Sequence, residues 1–346
     1  MADRADARLR LHGDVPLFRE AIAFTAAKTG FAGQIIEKDY FCTILLDDFA
    51  RHGGVDLIFK GGTCLAKVHA GFYRLSEDLD FAIPMPVDAS RTQRSRAADA
   101  IKHAVANIAR RLPGFSCHTE LKGSNDSSQY SGVVTYQSVL SGEQETILID
   151  VSVREPALTP AATLAARTLL LDPISGQPAV PVLEVACISA LEAMAEKYRA
   201  ALSRRDVAIR DFYDLDYAVR YLSLDLGSPT FVDMVRRKLA IPDNTPVDVG
   251  EERMLALRRQ VDAKLKPVLR GKEFRDFVLD RAIAFGRRHG GTGHLTVTRI
   301  GGGRTDGPGL AGWRGSPKDR RRDRPAIGPA THGDGERGRW AAARRA

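Results

Sequence analysis
The sequence predicts an α/β (α+β) protein with a mixed-sheet domain and N-terminal helices in residues 1–160, followed by a helical domain in residues 180–290. Three observations carry that prediction. Apolar runs of strand length recur between Val55 and Val153, separated by Gly- and Ser-rich turns. Segments of helical composition precede and interrupt those runs. After a stretch at Arg154–Pro181 that holds five prolines, apolar residues return at helical spacing only, which marks a domain boundary.

Each element has a local justification. Pro16–Lys28 reads as a helix because Asp14 can cap it, Pro16 sits in its first turn and Gly30 follows its end. Gln34–Arg51 is a second helix, stopped by Gly53 and Gly54, whose Glu37, Asp39 and Tyr40 read as its polar face, with Lys38 standing apart. Val55–Phe59 is a strand, and Leu79–Ile83 another. Asp88–Arg111 has helical composition up to Pro113. Phe115–Leu121, Tyr130–Ser138 and Glu145–Val153 are strands, and in the last of them Ile147, Ile149, Val151 and Val153 share one face. Asp150 lies on the other face with Leu148 and Ser152. Ala186–Leu202 is a helix with Ile188, Leu191, Met194, Ala195, Tyr198 and Leu202 on its apolar side. Periodicity puts Glu192 and Lys197 on its solvated flanks. Thr230–Leu239, Gly250–Val268 and Lys272–Arg288 follow as helices.

Composition narrows the class. With 346 residues and 44% hydrophobic content the chain can build sizeable cores, and no run of about 18 apolar residues points to a membrane span. The N-terminus lacks a leader pattern, so a cytoplasmic protein is expected. Cys42, Cys64, Cys117 and Cys187 have no zinc-type spacing and read as buried thiols. The net charge of +8 suggests nucleic acid, but residues 291–346 hold 12 Lys or Arg against 5 Asp or Glu, which leaves the rest nearly neutral. That tail is Gly-rich and expected to be disordered, with Lys318–Arg324 as a loose RNA contact.

The chemistry concentrates in Lys60–Phe81, KGGTCLAKVHAGFYRLSEDLDF. Alternation puts Asp78 and Asp80 on one side of a strand and Leu79 and Phe81 on the other. Two carboxylates this close raise each other's pKa unless a cation lies between them, and Mg2+, shared with substrate phosphates, suits such a pair. The Gly61-Gly62-Thr63 turn suits an anion, because glycines let backbone N–H groups approach it. Asp150, in the middle of an apolar strand, must be paired or metal-bound.

A strand, a Gly-Gly-Thr turn, a short helix and a strand bearing D-x-D follow one another as in the nucleotidyltransferase superfamily. The fuller string, EKDY at Glu37–Tyr40, KGGTCLAK at Lys60–Lys67 and RLSEDLDF at Arg74–Phe81, resembles the AbiEii/AbiGii family of abortive-infection and toxin–antitoxin toxins. Glu192, Lys197 and RDFYDL at Arg210–Leu215 fit the same pattern. The resemblance implies a Mg2+-dependent nucleotidyltransferase that uses a nucleoside triphosphate and two ions, with Asp78, Asp80 and Asp150 as metal ligands. It implies nucleotide contacts from Lys60, Gly61, Gly62, Thr63, Ser76 and Lys197, and catalytic roles for Lys197 and Asp211 beside the three acids. The implied acceptor is RNA, at the tRNA 3′ end, and the implied partner is a cognate antitoxin. Arg204, Arg205, Arg210, Arg236, Arg237 and Lys238 are candidates to line a basic groove for the RNA. Nucleotidylation of an antibiotic or other small molecule, and a GTP-binding module without turnover, are the rival readings.

Overall fold
Helix α1, Val15–Thr29, begins where the Asp14 side chain accepts the Leu17 N–H, and ends at Gly30, whose φ of 77° disfavours any residue with a Cβ. It packs on α2, Gly33–His52, the long helix behind the sheet. This is a computed structural model, and it describes residues 10–290 apart from positions 243 and 249, with backbone only for 285–290. The expected basic tail lies outside the described residues.

Seven strands form one mixed sheet: β1 Ile58–Lys60, β2 Leu79–Ala82, β3 Phe115–Ser124, β4 Gln129–Gln137, β5 Gln144–Ser152, β6 Ala162–Ala166 and β7 Leu183–Cys187, in the order β3-β4-β5-β2-β1-β7-β6. β3, β4 and β5 are an antiparallel meander, β2 runs parallel to β5 and antiparallel to β1, and β1 runs parallel to β7. Alternation decides the two faces. Leu79, Phe81, Ile147, Ile149, Val151, Val134 and Tyr136 are buried on one face. There Phe49 of α2 meets Phe81, and Phe41 stacks on Tyr136 with ring centroids 4.0 Å apart. The opposite face carries Asp80 and Asp150.

Several expectations need correction. β1 starts three residues late, because Val55 stands 97% exposed in a turn. The helix expected over Asp88–Arg111 is three pieces, α4 Arg91–Ala97, α5 Asp99–Ala106 and α6 Ile108–Arg111. Asn107 makes the second break by donating its side-chain amide to the His103 carbonyl. The Arg154–Pro181 stretch is not merely irregular, since β6 lies inside it. β7 follows where a helix start was expected, and both strands join the sheet. The described residues fall within a single compact unit. The C-terminal helices are α7 Ala190–Ser203, α8 Ile209–Tyr221, α9 Pro229–Leu239, α10 Glu251–Gln260, α11 Gly271–Asp276 and α12 Leu279–Gly290. Among the described residues no helix is long and apolar enough to cross a membrane. Cys42, Cys64 and Cys187 are buried as expected, whereas Cys117 is half-buried.

The EKDY charges are not a polar helix face. Glu37 is buried and accepts the Ser138 hydroxyl and the Val139 N–H, both at 2.7 Å. Asp39 is buried against Lys67 at 2.7 Å and accepts the Leu169 N–H at 3.0 Å. These bonds fasten α2 to the β4–β5 turn and to the segment after β6.

A second buried carboxylate fastens the C-terminal helices to the sheet. Asp214 of α8 accepts Arg74 Nε at 2.5 Å and Nη2 at 2.8 Å, accepts the Tyr73 hydroxyl at 2.6 Å, and lies 3.1 Å from Lys197 Nζ. Burial pushes its pKa up, but Arg74, Lys197 and Tyr73 more than offset this and hold it at about 2. Truncating Asp214 leaves Arg74 buried and unpaired, so Asp214→Ala should cost about 3 to 5 kcal/mol in denaturant unfolding. The native carboxyl titrates near 2 and the unfolded one near 3.8, so its contribution is complete above about pH 4 and fades as pH falls through about 2. An Asp214→Ala protein as stable as wild type at pH 7 would show that the pairing does not matter.

Candidate active site
The site is built at the end of β1. Lys60 is the last residue of the strand, and Gly61 turns the chain with a φ of 76° into α3, Gly61–Cys64, which continues as a π-turn over Leu65–His69. A Cβ on Gly61 would overlap the Asp80 carboxylate, and one on Gly62 would lie 2.6 Å from Arg74 Nη2 and 3.0 Å from Ser76 Oγ. Both glycines are therefore required by close approach. No side chain caps this helix start. The Thr63 side chain is buried, and its hydroxyl donates to the Asp78 carbonyl, so it fixes the D-x-D strand while its backbone stays in the turn.

Register brings the acids together. Lys60 pairs with Asp80 across β1 and β2, Asp80 pairs with Asp150 across β2 and β5, and Asp150 pairs with Ser131 of β4. Paired residues share a face, so these four side chains form a row with steps of about 4.8 Å. The Ser131 hydroxyl donates to Asp150 Oδ1. Burial pushes the Asp80 carboxyl up to about 6, with Asp150 and Asp78 adding to the rise and Lys60 and Lys197 opposing it. Asp78 is also raised by burial, with Glu77 and Asp150 adding, against the pull of Lys38 and Arg210. The three acids thus act on one another. Among the described residues no three acid, His or Cys side chains converge closely enough to form a metal cluster on their own. An all-oxygen, mutually repelling donor set still fits Mg2+, which takes one or two carboxylates and completes its shell with phosphate oxygens and water.

The helices supply the cations. Lys197 of α7 does not lie on a solvated flank. Its side chain is 16% exposed and its ammonium sits 2.9 Å from Asp211 and 3.1 Å from Asp214. Burial lowers its pKa, but Asp211 and Asp214 outweigh that and raise it, so it stays charged. Asp211 is buried, with Oδ2 accepting no hydrogen bond among the described residues and Arg204 3.6 Å away. Glu192, the other expected flank residue, is fully buried and accepts the Leu158 and Thr159 N–H groups. It also pairs with Lys238 at 2.8 Å. Lys238 is likewise paired with Glu196, whose other oxygen holds Lys60 at 2.8 Å. Lys238 therefore sits inside a carboxylate cluster and is unavailable to a groove. Sequence reasoning did not single out Glu196, Asp214 or Ser131 individually. Asp214 was inside a quoted motif, but Ser131 is found only once the register is known.

Comparison with curated proteins yields no match. Among solved structures, JHP933 from Helicobacter pylori shows 16% identity and a TM-score of 0.44, over 76% of this chain and 93% of that one. A second H. pylori protein, described as a presumed nucleotidyltransferase, shows 15% identity and a TM-score of 0.43, over 79% of this chain and all of that one. The DncV cyclic AMP-GMP synthase of Vibrio cholerae, solved with nonhydrolysable GTP, shows 12% identity and a TM-score of 0.21, over 83% and 90%. The sequence profile described as "Nucleotidyl transferase AbiEii toxin, Type IV TA system" matches residues 44–284. That span contains the glycine turn, the acid row and the Lys197–Asp211 pair, and the chain belongs to the AbiEii family of nucleotidyltransferase toxins.

Proposed function
We propose that the protein transfers a nucleoside monophosphate from a nucleoside triphosphate to an RNA 3′ hydroxyl, at the end of tRNA, and so stops translation until a cognate antitoxin intervenes. The observation that carries this reading is the row in which Asp80 and Asp150 are neighbours, with Lys60 at one end and the Gly61–Gly62 turn directly beside it. The uncapped α3 start and Lys197 offer the triphosphate N–H donors and a positive charge. Asp211 positions Lys197, and Ser76 lies against Gly62 at the edge of the same turn. Asp150 has one oxygen engaged by Ser131, and its other oxygen faces no further hydrogen-bond donor among the described residues. In this reading Asp150 receives the acceptor hydroxyl's proton. The hydroxyl oxygen bonds to the α-phosphorus, the bond from that phosphorus to the bridging oxygen breaks, and pyrophosphate leaves with the electron pair. Bound Mg2+, held by Asp78, Asp80 and Asp150, would neutralise the charge that develops on the phosphates.

The direct test incubates the protein with each α-labelled NTP, Mg2+ and total bacterial RNA. Label in one RNA size class is expected. Label on a small molecule, or none, would overturn the reading.

Two variants divide the site further. Asp80→Asn should lose transfer by at least about a hundredfold, since an amide does not replace carboxylate charge at a metal. Without divalent ions the same variant should be more stable than wild type at pH 7 by about 1 to 3 kcal/mol. The sign follows from the raised carboxyl: it titrates at about 6 when folded and 3.8 when unfolded, so its ionisation opposes folding above that window. The gain should shrink as pH falls from about 6 to about 4, and a constant difference in denaturant titrations across that range would contradict the assignment. Lys197→Met should lower transfer roughly ten- to a hundredfold, and normal turnover would return Lys197 to a structural role.

A further inference from the structure
We propose that Lys122 is a backbone-phosphate contact for a polynucleotide acceptor, an inference that rests on the nucleotidyl-transfer reading. The row that holds the acids continues one strand further, because Ser131 of β4 pairs with Lys122 of β3. Lys60, Asp80, Asp150, Ser131 and Lys122 therefore lie side by side on one face of five adjacent strands. The Lys60 end is closed by the glycine turn and by Glu196. At the other end Ser131 and Lys122 are exposed. Among the described residues Lys122 has no hydrogen bond or ion pair, so its charge is available to a ligand.

The backbone is shaped to put it there. Between Thr119 and Lys122 the register slips: β3 advances three residues while β4 goes from Val133 to Ser131. This bulge keeps Leu121 buried in the core and turns Lys122 onto the face of the acids. Gly132 makes room for it, since a Cβ there would lie 2.8 Å from the Thr119 carbonyl oxygen and 3.1 Å from the Leu121 nitrogen.

Lys122 stands two strand steps from Asp150, about 10 Å away. A small acceptor whose hydroxyl is at Asp150 ends before that distance. A phosphodiester chain reaches it, with its terminal hydroxyl at Asp150 and an upstream phosphate at the ammonium. Ser116, Thr119, Ser124 and Gln129 share this face by register and present uncharged hydrogen-bonding groups along the path.

The test measures labelled nucleotide transfer to bulk bacterial tRNA across a salt series for wild type, Lys122→Ala and Lys122→Arg, with melting temperatures as the fold control. For Lys122→Ala the acceptor KM should rise about fivefold, the size of a screened surface charge contact. Its salt dependence should become shallower by about one unit. The nucleotide KM and the melting temperature should hold, and Lys122→Arg should restore the acceptor KM. If wild type transfers to RNA and Lys122→Ala keeps the same acceptor KM and salt slope, this inference is wrong and the transfer reading stands. If wild type labels no RNA, the transfer reading is wrong and the inference falls with it.

Discussion
One buried carboxylate sets the geometry on which the rest depends. Asp214 takes two bonds from Arg74, one from Tyr73 and the charge of Lys197. A buried ion pair is stable only when its donors and acceptors are all satisfied, and removing one member costs more than the pair contributes. That constraint propagates in two directions. Toward the sheet, Arg74 occupies the space where a Gly62 side chain would project, so the turn must be glycine and must pass directly beneath the guanidinium. Toward the helices, Asp214 shares Lys197 with Asp211, which places the ammonium within electrostatic reach of Asp80. The turn and the lysine are separated by more than a hundred residues in the chain. One interaction positions both.

What was legible in the sequence was what local physics decides. Asp14, Pro16 and Gly30 bound α1 by capping and backbone freedom, and the alternation of Ile147, Ile149 and Val151 assigned the faces of β5 and thereby the side of Asp150. The order of glycine turn and D-x-D strand pointed to the candidate site. β6 and β7 escaped because their place is set by docking, β7 beside β1 and β6 beside β7, which no local pattern announces. Glu37, Asp39 and Glu192 were read as solvated, and Lys238 as a groove residue, for the same reason. Their partners lie between 28 residues away, for Asp39 with Lys67, and 130 away, for Asp39 with Leu169. Lys197 is the instructive case: periodicity correctly put it off the apolar face, yet that direction leads to two carboxylates and not to water.

The same distinction explains why net charge was a weak guide. Lys60, Lys67, Arg74 and Lys238 are each spent against buried or half-buried carboxylates. They contribute nothing to an exterior field that would gather RNA from a distance. What a cation offers a substrate depends on how far burial and internal pairing use up its charge, not on its presence in the sequence.

The acid row shows the converse. Asp80 and Asp150 are drawn together by strand pairing, with Asp78 two residues before Asp80, and burial first, then the neighbouring acids, push the Asp80 carboxyl up to about 6 against the pull of Lys60 and Lys197. Elsewhere in the molecule a buried carboxylate gathers enough donors to be held low, as Asp214 is. At Asp80 the Gly61 turn is pressed against the carboxylate, and a glycine brings no side-chain donor to it. The fold therefore tolerates at Asp80 a buried carboxyl that its cations do not hold low. Such a charge is relieved by protonation of Asp80 or by a ligand that brings positive charge between the acids, so ligand binding and the stability of this corner of the sheet are linked.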